Sequence, residues 1–312
     1  MELLIPAAIG LIAGLLGGLL GVGGSIIIIP GLILYLSQTG RYEGSVQHLL
    51  QAAAMICNVF VAAPSVLAHW RAGMIMKSVT LPLIPAALAG ILLGVYVSDT
   101  SLFARQNGVY LAMILAGFMV YVAAYNGFRL MTNTDLEHGF DERPAPPVVG
   151  VGSVGLVMGF FAGLLGIGGG AICVPMQQIL LRIPLRRAIA NSAVTIVCVS
   201  SVGAVFKNAT LSIHHGIAVT QSLQLAAMLI PTAILGSYLG GKLTHALPRR
   251  VLRLVFIVFM LSIAYLTFTE AWQASHSPGT APRAAAGAVE TQTEGLSAKR
   301  CVRAKPQAAL RK

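Results

Sequence analysis

The chain twice interrupts a long apolar run with the same glycine cluster. Gly14 to Pro30 reads Gly-Leu-Leu-Gly-Gly-Leu-Leu-Gly-Val-Gly-Gly-Ser-Ile-Ile-Ile-Ile-Pro, inside a segment, Leu3–Leu36, with no charged residue. Gly159 to Pro175 reads Gly-Phe-Phe-Ala-Gly-Leu-Leu-Gly-Ile-Gly-Gly-Gly-Ala-Ile-Cys-Val-Pro. Gly18, Gly21, Gly23, Gly24 and Pro30 align with Gly163, Gly166, Gly168, Gly169 and Pro175 without a gap. In hydrocarbon every backbone N–H and C=O needs a partner, so lipid-facing chain is helix or closed barrel. Glycine weakens a helix and takes positive φ readily. The pattern therefore predicts a helix that stops and restarts in each half. Irregular backbone at that depth must be buried in protein or line a wet cavity. The restarting helix offers free N–H groups and the positive end of its dipole, which suits an anion. Two other readings compete. Gly10, Gly14, Gly17 and Gly18 have the spacing of a small-xxx-small packing face, or the segments are bent helices without a ligand. On the packing reading, Gly10→Ala is expected to cost only a modest loss of stability.

Composition sets the class. Of 312 residues, 56% are hydrophobic and 10% charged, against roughly 25% charged in soluble domains. Mean hydropathy is +0.80. The apolar runs are continuous rather than alternating, which predicts an all-α polytopic membrane protein and not a barrel. The runs are Leu3–Leu36, Leu49–Leu67, Val79–Val97, Val109–Tyr125, Val148–Leu181, Ile189–Phe206, Leu223–Gly241 and Leu254–Phe268. The first and fifth are long and carry the glycine clusters. The chain thus reads as two pseudo-symmetric repeats of four hydrophobic segments, 1–130 and 148–270. A solvated linker, 131–147, joins them, and a disordered basic tail, 271–312, follows. Met1-Glu2 offers no basic leader region. The net charge of +11 sits in short loops and the tail, as the positive-inside tendency predicts, and does not call for nucleic acid.

Loop charges bear on whether the long segments cross or re-enter. Single crossings separate Arg71, Lys77, Arg129 and Arg143 from Arg182, Lys242 and Arg249. Re-entry of both long segments gathers these residues on one side. Three full crossings per repeat then remain, and an odd number inverts the second repeat relative to the first. Inverted repeats with broken helices are a recurring transporter design.

No apolar run contains Asp, Glu, Lys or Arg. Cation carriers and proton pumps usually keep a carboxylate in the membrane, so an anion held by dipoles, amides and hydroxyls is favoured. Gln51, Asn58, Ser65 and His69 fall within about 40° of one helix face. Asn191, Thr195 and Cys198 share another, with Ser192 at its edge. Such stripes either line a cavity or bond helix to helix. Asn58 and Asn191 stand out because a buried amide needs several partners. Arg71 and Lys207 follow the second run of each half, as anion-attracting vestibule residues or as ordinary snorkelling ends. His214-His215 falls in a loop insertion of the second half, with no other ligand nearby in sequence. Cys57, Cys173, Cys198 and Cys301 have no metal or dithiol spacing. No metal and no cofactor is expected. Neither a phosphate-binding loop nor a nucleophile elbow is present, so the chain reads as no enzyme.

With both Gly-Leu-Leu-Gly-[Val/Ile]-Gly-Gly motifs and their trailing prolines, the chain resembles the TauE/SafE family of sulfite-exporter-like permeases, from about Leu3 to Phe268. The resemblance implies a multi-pass permease of the bacterial inner membrane for a small sulfur-containing or organic anion such as sulfite, thiosulfate or a sulfonate. Two features depart from it: the His214-His215 insertion, and Ser25 where the second copy has Gly170. Partners are then a small anionic substrate and the lipid bilayer, with a homo-oligomer left open. The expected substrate contacts are Gly23, Gly24, Ser25, Asn58, Gly168, Gly169, Gly170, Asn191, Ser192 and Thr195. The alternative is a non-transporting scaffold whose glycines only permit packing.

Overall fold

Glycine decides where the helices stop. A computed structural model describes residues 4–38, 46–98, 105–132, 146–215 and 218–276, and every regular element among them is a helix. In order they are α1 (Leu4–Leu20), α2 (Ser25–Gln38), α3 (Val46–Arg71), α4 (Lys77–Ser98), α5 (Arg105–Met131), α6 (Val148–Leu165), α7 (Gly170–Ile179), α8 (Leu185–His215), α9 (Val219–Ala246) and α10 (Arg249–His276). Each long apolar segment is thus two helices. Gly21 and Gly23 in the first break, and Gly166, Gly168 and Gly169 in the second, have positive φ. Gly166 closes α6 in the left-handed region, at φ 72° and ψ 16°, with its N–H bonded to Ala162 O. A side chain with a Cβ is strained there.

Each broken segment folds back on itself. A Cβ on Gly31 of α2 would come 2.9 Å from Ile9 Cγ2 of α1. Ala13 of α1 and Ile28 and Leu32 of α2 share one buried cluster. In the second half, a Cβ on Gly150 at the start of α6 would come 3.3 Å from Leu181 Cδ2, just beyond α7. Both segments are hairpins with the glycine break at the tip.

The hairpins are held by the opposite half. The two most extensive helix pairings are α4 with α6 and α1 with α9. Gly14 and Gly18 of α1 lie against the backbone of Ala233 and Ser237, while Gly236 and Gly240 of α9 lie against Leu11 and Leu15. Gly155, Gly159 and Gly163 of α6 meet Leu83, Ala87 and Ile91, and Gly90 and Gly94 of α4 meet Leu156 and Phe160. Small residues let the backbones approach this closely. The expectation that Gly10→Ala is cheap fails here. A Cβ on Gly10 would lie 2.6 Å from Leu229 O, so the backbones would have to separate.

Among the described residues, five helices are long and apolar enough to cross a membrane: Leu49–Arg71, Lys77–Val97, Val148–Leu165, Leu185–Ile213 and Val219–Ala246. None contains Asp or Glu. Leu92, Leu93, Leu235, Leu239 and Val258 point outward, which suits a lipid surround. The chain is an all-α, multi-pass membrane protein. The helices outrun the apolar runs, because helix continues where hydrophobicity ends. Lys207 is therefore inside α8 and only 3% exposed, against the expectation of spans free of lysine. His214-His215 ends α8 instead of lying in a loop. Chain contacts separate Met1–Ala271 from Trp272–Lys312, and α10 continues through His276, into the stretch expected to be tail. Most of the linker and everything after 276, Cys301 included, lie outside the described residues.

Candidate site at the hairpin tips

The two glycine tips meet. A Cβ on Gly170 would lie 2.6 Å from Val22 Cα and C. Ser192 of α8 donates its hydroxyl to Gly21 O at 2.7 Å. Between the tips stands Asn58 of α3. Its Oδ1 accepts the N–H of Gly24 at 2.8 Å and of Ser25 at 2.9 Å, and its Nδ2 donates to Ser25 Oγ at 3.0 Å. Asn58 is thus an N-cap for α2 supplied from a different helix. The same amide faces the other tip, since a Cβ on Gly168 would collide with Nδ2. Asn58, Ser25 and Ser192 are fully buried.

The second tip lacks this cap. Gly169 is the N-cap of α7, at φ 75° and ψ −6°, with no side-chain hydrogen bond to the helix end. The equivalents of the Gly24 and Ser25 N–H groups are those of Gly169 and Gly170. Neither has a hydrogen-bond acceptor among the described residues, whereas Ile172 and Cys173 N–H both reach Gly169 O. Two buried side-chain atoms nearby are also without partners: Ser200 Oγ and Gln51 Oε1. Ser200 Oγ lies 3.4 Å from where a Gly168 Cβ would be, and Gln51 Cγ lies 2.8 Å from the Gly166 equivalent.

The α3 stripe read from sequence runs the length of this arrangement. Gln51 faces the second tip, Asn58 both tips, and Ser65 the close approach of Gly241. His69 is fully buried, and its Nδ1 lies 2.9 Å from His245 Nε2 of α9. Of the expected site residues, Gly23, Gly24, Ser25, Asn58, Gly168, Gly169, Gly170 and Ser192 gather at the tips. Gly24 does not have positive φ, and a Cβ there would meet Val61 and Ile28. Asn191 is engaged elsewhere: its Oδ1 accepts Met76 N–H at 2.9 Å, and its Nδ2 donates to Gln177 Oε1 at 3.2 Å. Thr195 bonds back to Asn191 O at 2.9 Å. Arg71 ends α3, and it contributes with Lys242 to the surroundings of Tyr238 on α9; Lys242 Nζ lies 4.5 Å from that ring. Cys57 and Cys173 are buried and unbridged. No group of three or more metal-ligating side chains occurs among the described residues. Sequence reasoning missed Ser200, which reads like any helix serine, and passed over Gln51, whose place in the α3 stripe was its only signal.

Residues 6–267 match the family model described as sulfite exporter TauE/SafE. The chain belongs to that family. "Probable membrane transporter protein MamO" of Paramagnetospirillum magneticum is 30% identical over 289 residues, covering 84% of this chain and 44% of MamO. The chain thus spans less than half the length of that relative. "Probable membrane transporter protein YunE" of Bacillus subtilis is 26% identical over 276 residues, 85% of this chain and 96% of YunE. A "Probable membrane transporter protein" of Haemophilus influenzae is 26% identical over 275 residues, 85% of this chain and 98% of its own length. These names describe membrane transporters. No solved structure matches.

Proposed function

We propose that this TauE/SafE member is an inner-membrane permease for a small sulfur-containing or organic anion, held where the hairpin tips meet. The observation that carries the proposal is the uncapped start of α7 beside an uncharged, buried polar shell. A helix N-terminus supplies N–H donors and positive potential to an anion. The lack of carboxylates in the five spans disfavours a cation. The names of the relatives support a transporter. The test is counterflow in proteoliposomes against a panel of sulfite, thiosulfate, methanesulfonate and isethionate. Saturable exchange of at least one is expected; a protein that exchanges none of them is not a permease of this class. The helical glycines of α1, α4, α6 and α9 serve packing, as the scaffold reading requires, but packing leaves the free N–H groups of the second tip without a role.

The hairpins also support re-entry of both glycine segments, an inverted second half, and cytoplasmic placement of the loops carrying Arg71, Arg143, Arg182 and Arg249. Single cysteines in a Cys-free background, probed on intact cells with an impermeant thiol reagent, are expected to be protected at all four loops. Labelling of the Arg71 loop with protection of the Arg182 loop would restore single crossings.

A further inference from the structure

The tips are alike in sequence and unlike in bonding, and the difference selects among anions. At the first tip, Asn58 Oδ1 already occupies the place an anion would take, bonded to Gly24 and Ser25 N–H. At the second tip the matching donors are unused. Ser200, fully buried, turns an unpartnered hydroxyl toward Gly168. Gly168 is the floor of this cradle: a Cβ there would fill the space between Asn58 Nδ2 and Ser200 Oγ. Gln51 Oε1 is unpartnered at the adjoining Gly166. The side-chain atoms nearest the tip glycines belong to Asn58, Ser200 and Gln51 and to apolar residues such as Val61, Ile189 and Met158, and none is charged. Lys207, also on α8, lies seven residues beyond Ser200, roughly 10 Å along the helix.

We infer that the protein holds one oxyanion per chain, at the second tip only, and that the subsite favours a monoanion over a dianion. The donors are the N–H groups of Gly169 and Gly170, Asn58 Nδ2 and the Ser200 hydroxyl. This rests on the anion reading of the tips and adds its location and charge class. A helix end is worth about half an elementary positive charge. Together with neutral donors it can offset one negative charge. A second negative charge would meet no charged side chain among those nearest the tip glycines, and burying a charge without a partner is costly. Within the anion class already proposed, the subsite therefore selects the singly charged members. Gln51 Oε1, an acceptor, is placed to receive a hydroxyl or amino group beside it.

The experiment is ligand binding to the purified full chain in detergent, read by titration calorimetry with thermal shift alongside. The probes are methanesulfonate as monoanion and sulfate as dianion, at about pH 7. Methanesulfonate is expected to bind at one site per chain and at least about tenfold tighter than sulfate. Ser200→Ala is expected to weaken it by about ten- to a hundredfold, the loss of one hydrogen bond to a charged ligand. Ser25→Ala is expected to cost less than Ser200→Ala. Ser201→Ala is the control: that serine is exposed and bonded to Val197 O, and wild-type affinity is expected. Should Ser200→Ala not fold, Ser200→Cys, which keeps the volume and weakens the donor, reads the same loss. Equal affinity for sulfate, two sites per chain, or a larger loss for Ser25→Ala would overturn the inference while leaving an anion site in place. Binding of neither probe, nor of sulfite, would remove the anion reading and the subsite with it.

Discussion

Asn58→Asp is expected to leave the protein folded and to abolish anion transport. The carboxylate keeps the cap on α2, since an oxygen still accepts the Gly24 and Ser25 N–H groups. Two N–H donors and the start of α2 face the carboxylate. The Ser25 hydroxyl can turn round and donate to it. The charge, however, now stands beside Gly168, at the edge of the proposed subsite. Two like charges 4 Å apart repel by about 4 kcal/mol at an effective dielectric of 20, roughly a thousandfold in affinity. Asn58→Ala should do the reverse of the first half. It leaves two buried N–H groups without acceptors, at about 1–3 kcal/mol each, so its loss is of fold first. The measurements are counterflow and monodispersity for both variants. Wild-type flux in a well-folded Asn58→Asp protein would mean that the anion does not pass the tips.

Gly159→Val is expected to abolish folding altogether. Gly159 on α6 faces Ala87 on α4, and a Cβ would be 2.8 Å from Ala87 C and 2.9 Å from its Cα. The neighbour is backbone, which cannot swing aside as a side-chain end can. Either α4 and α6 separate along their whole contact or the hairpin leaves its place. Both outcomes expose the second tip. Overpacking commonly costs about 1–3 kcal/mol in a core that can adjust, and a backbone-to-backbone crossing cannot adjust. Gly152→Ala, where a Cβ meets nothing within 4 Å, is the control and is expected to be neutral. The check is yield and monodispersity in detergent at fixed temperature. A monodisperse Gly159→Val protein would show that the helices have more freedom to part than their glycines indicate.

The breaks and their duplication were legible in the sequence because hydrocarbon leaves a chain so few choices. A Gly-x-Gly-Gly inside an uncharged run has to interrupt a helix. The fold-back was half legible, through loop charges. The exchange of partners between halves was not. It leaves only a spacing of small residues in α1 and α6, which says that something packs closely without saying what. For the same reason Gly10 looked tolerant, whereas the Leu229 carbonyl in fact rests against it. The site was legible in its residue types and not in its bonding. Asn58 and Asn191 look equivalent as buried amides, yet one caps a hairpin tip and the other ties the Met76 backbone to Gln177. Which N–H groups remain free depends on a side chain that arrives from another helix, and no local pattern encodes that.

The exchange of partners sets a schedule for biogenesis. Leu19, in the last turn of α1, accepts a hydrogen bond from Thr244 of α9, 225 residues later. At a synthesis rate of about 5–20 residues per second, α1 waits roughly 10–45 s for the helix that covers its glycine face. During that interval a strip of bare backbone stands in the bilayer with no mate from its own chain. The insertion machinery, or another polypeptide being made nearby, has that long to occupy it. Slowing translation between α1 and α9 is therefore expected to lower the yield of folded protein, while slowing it after α10 should not.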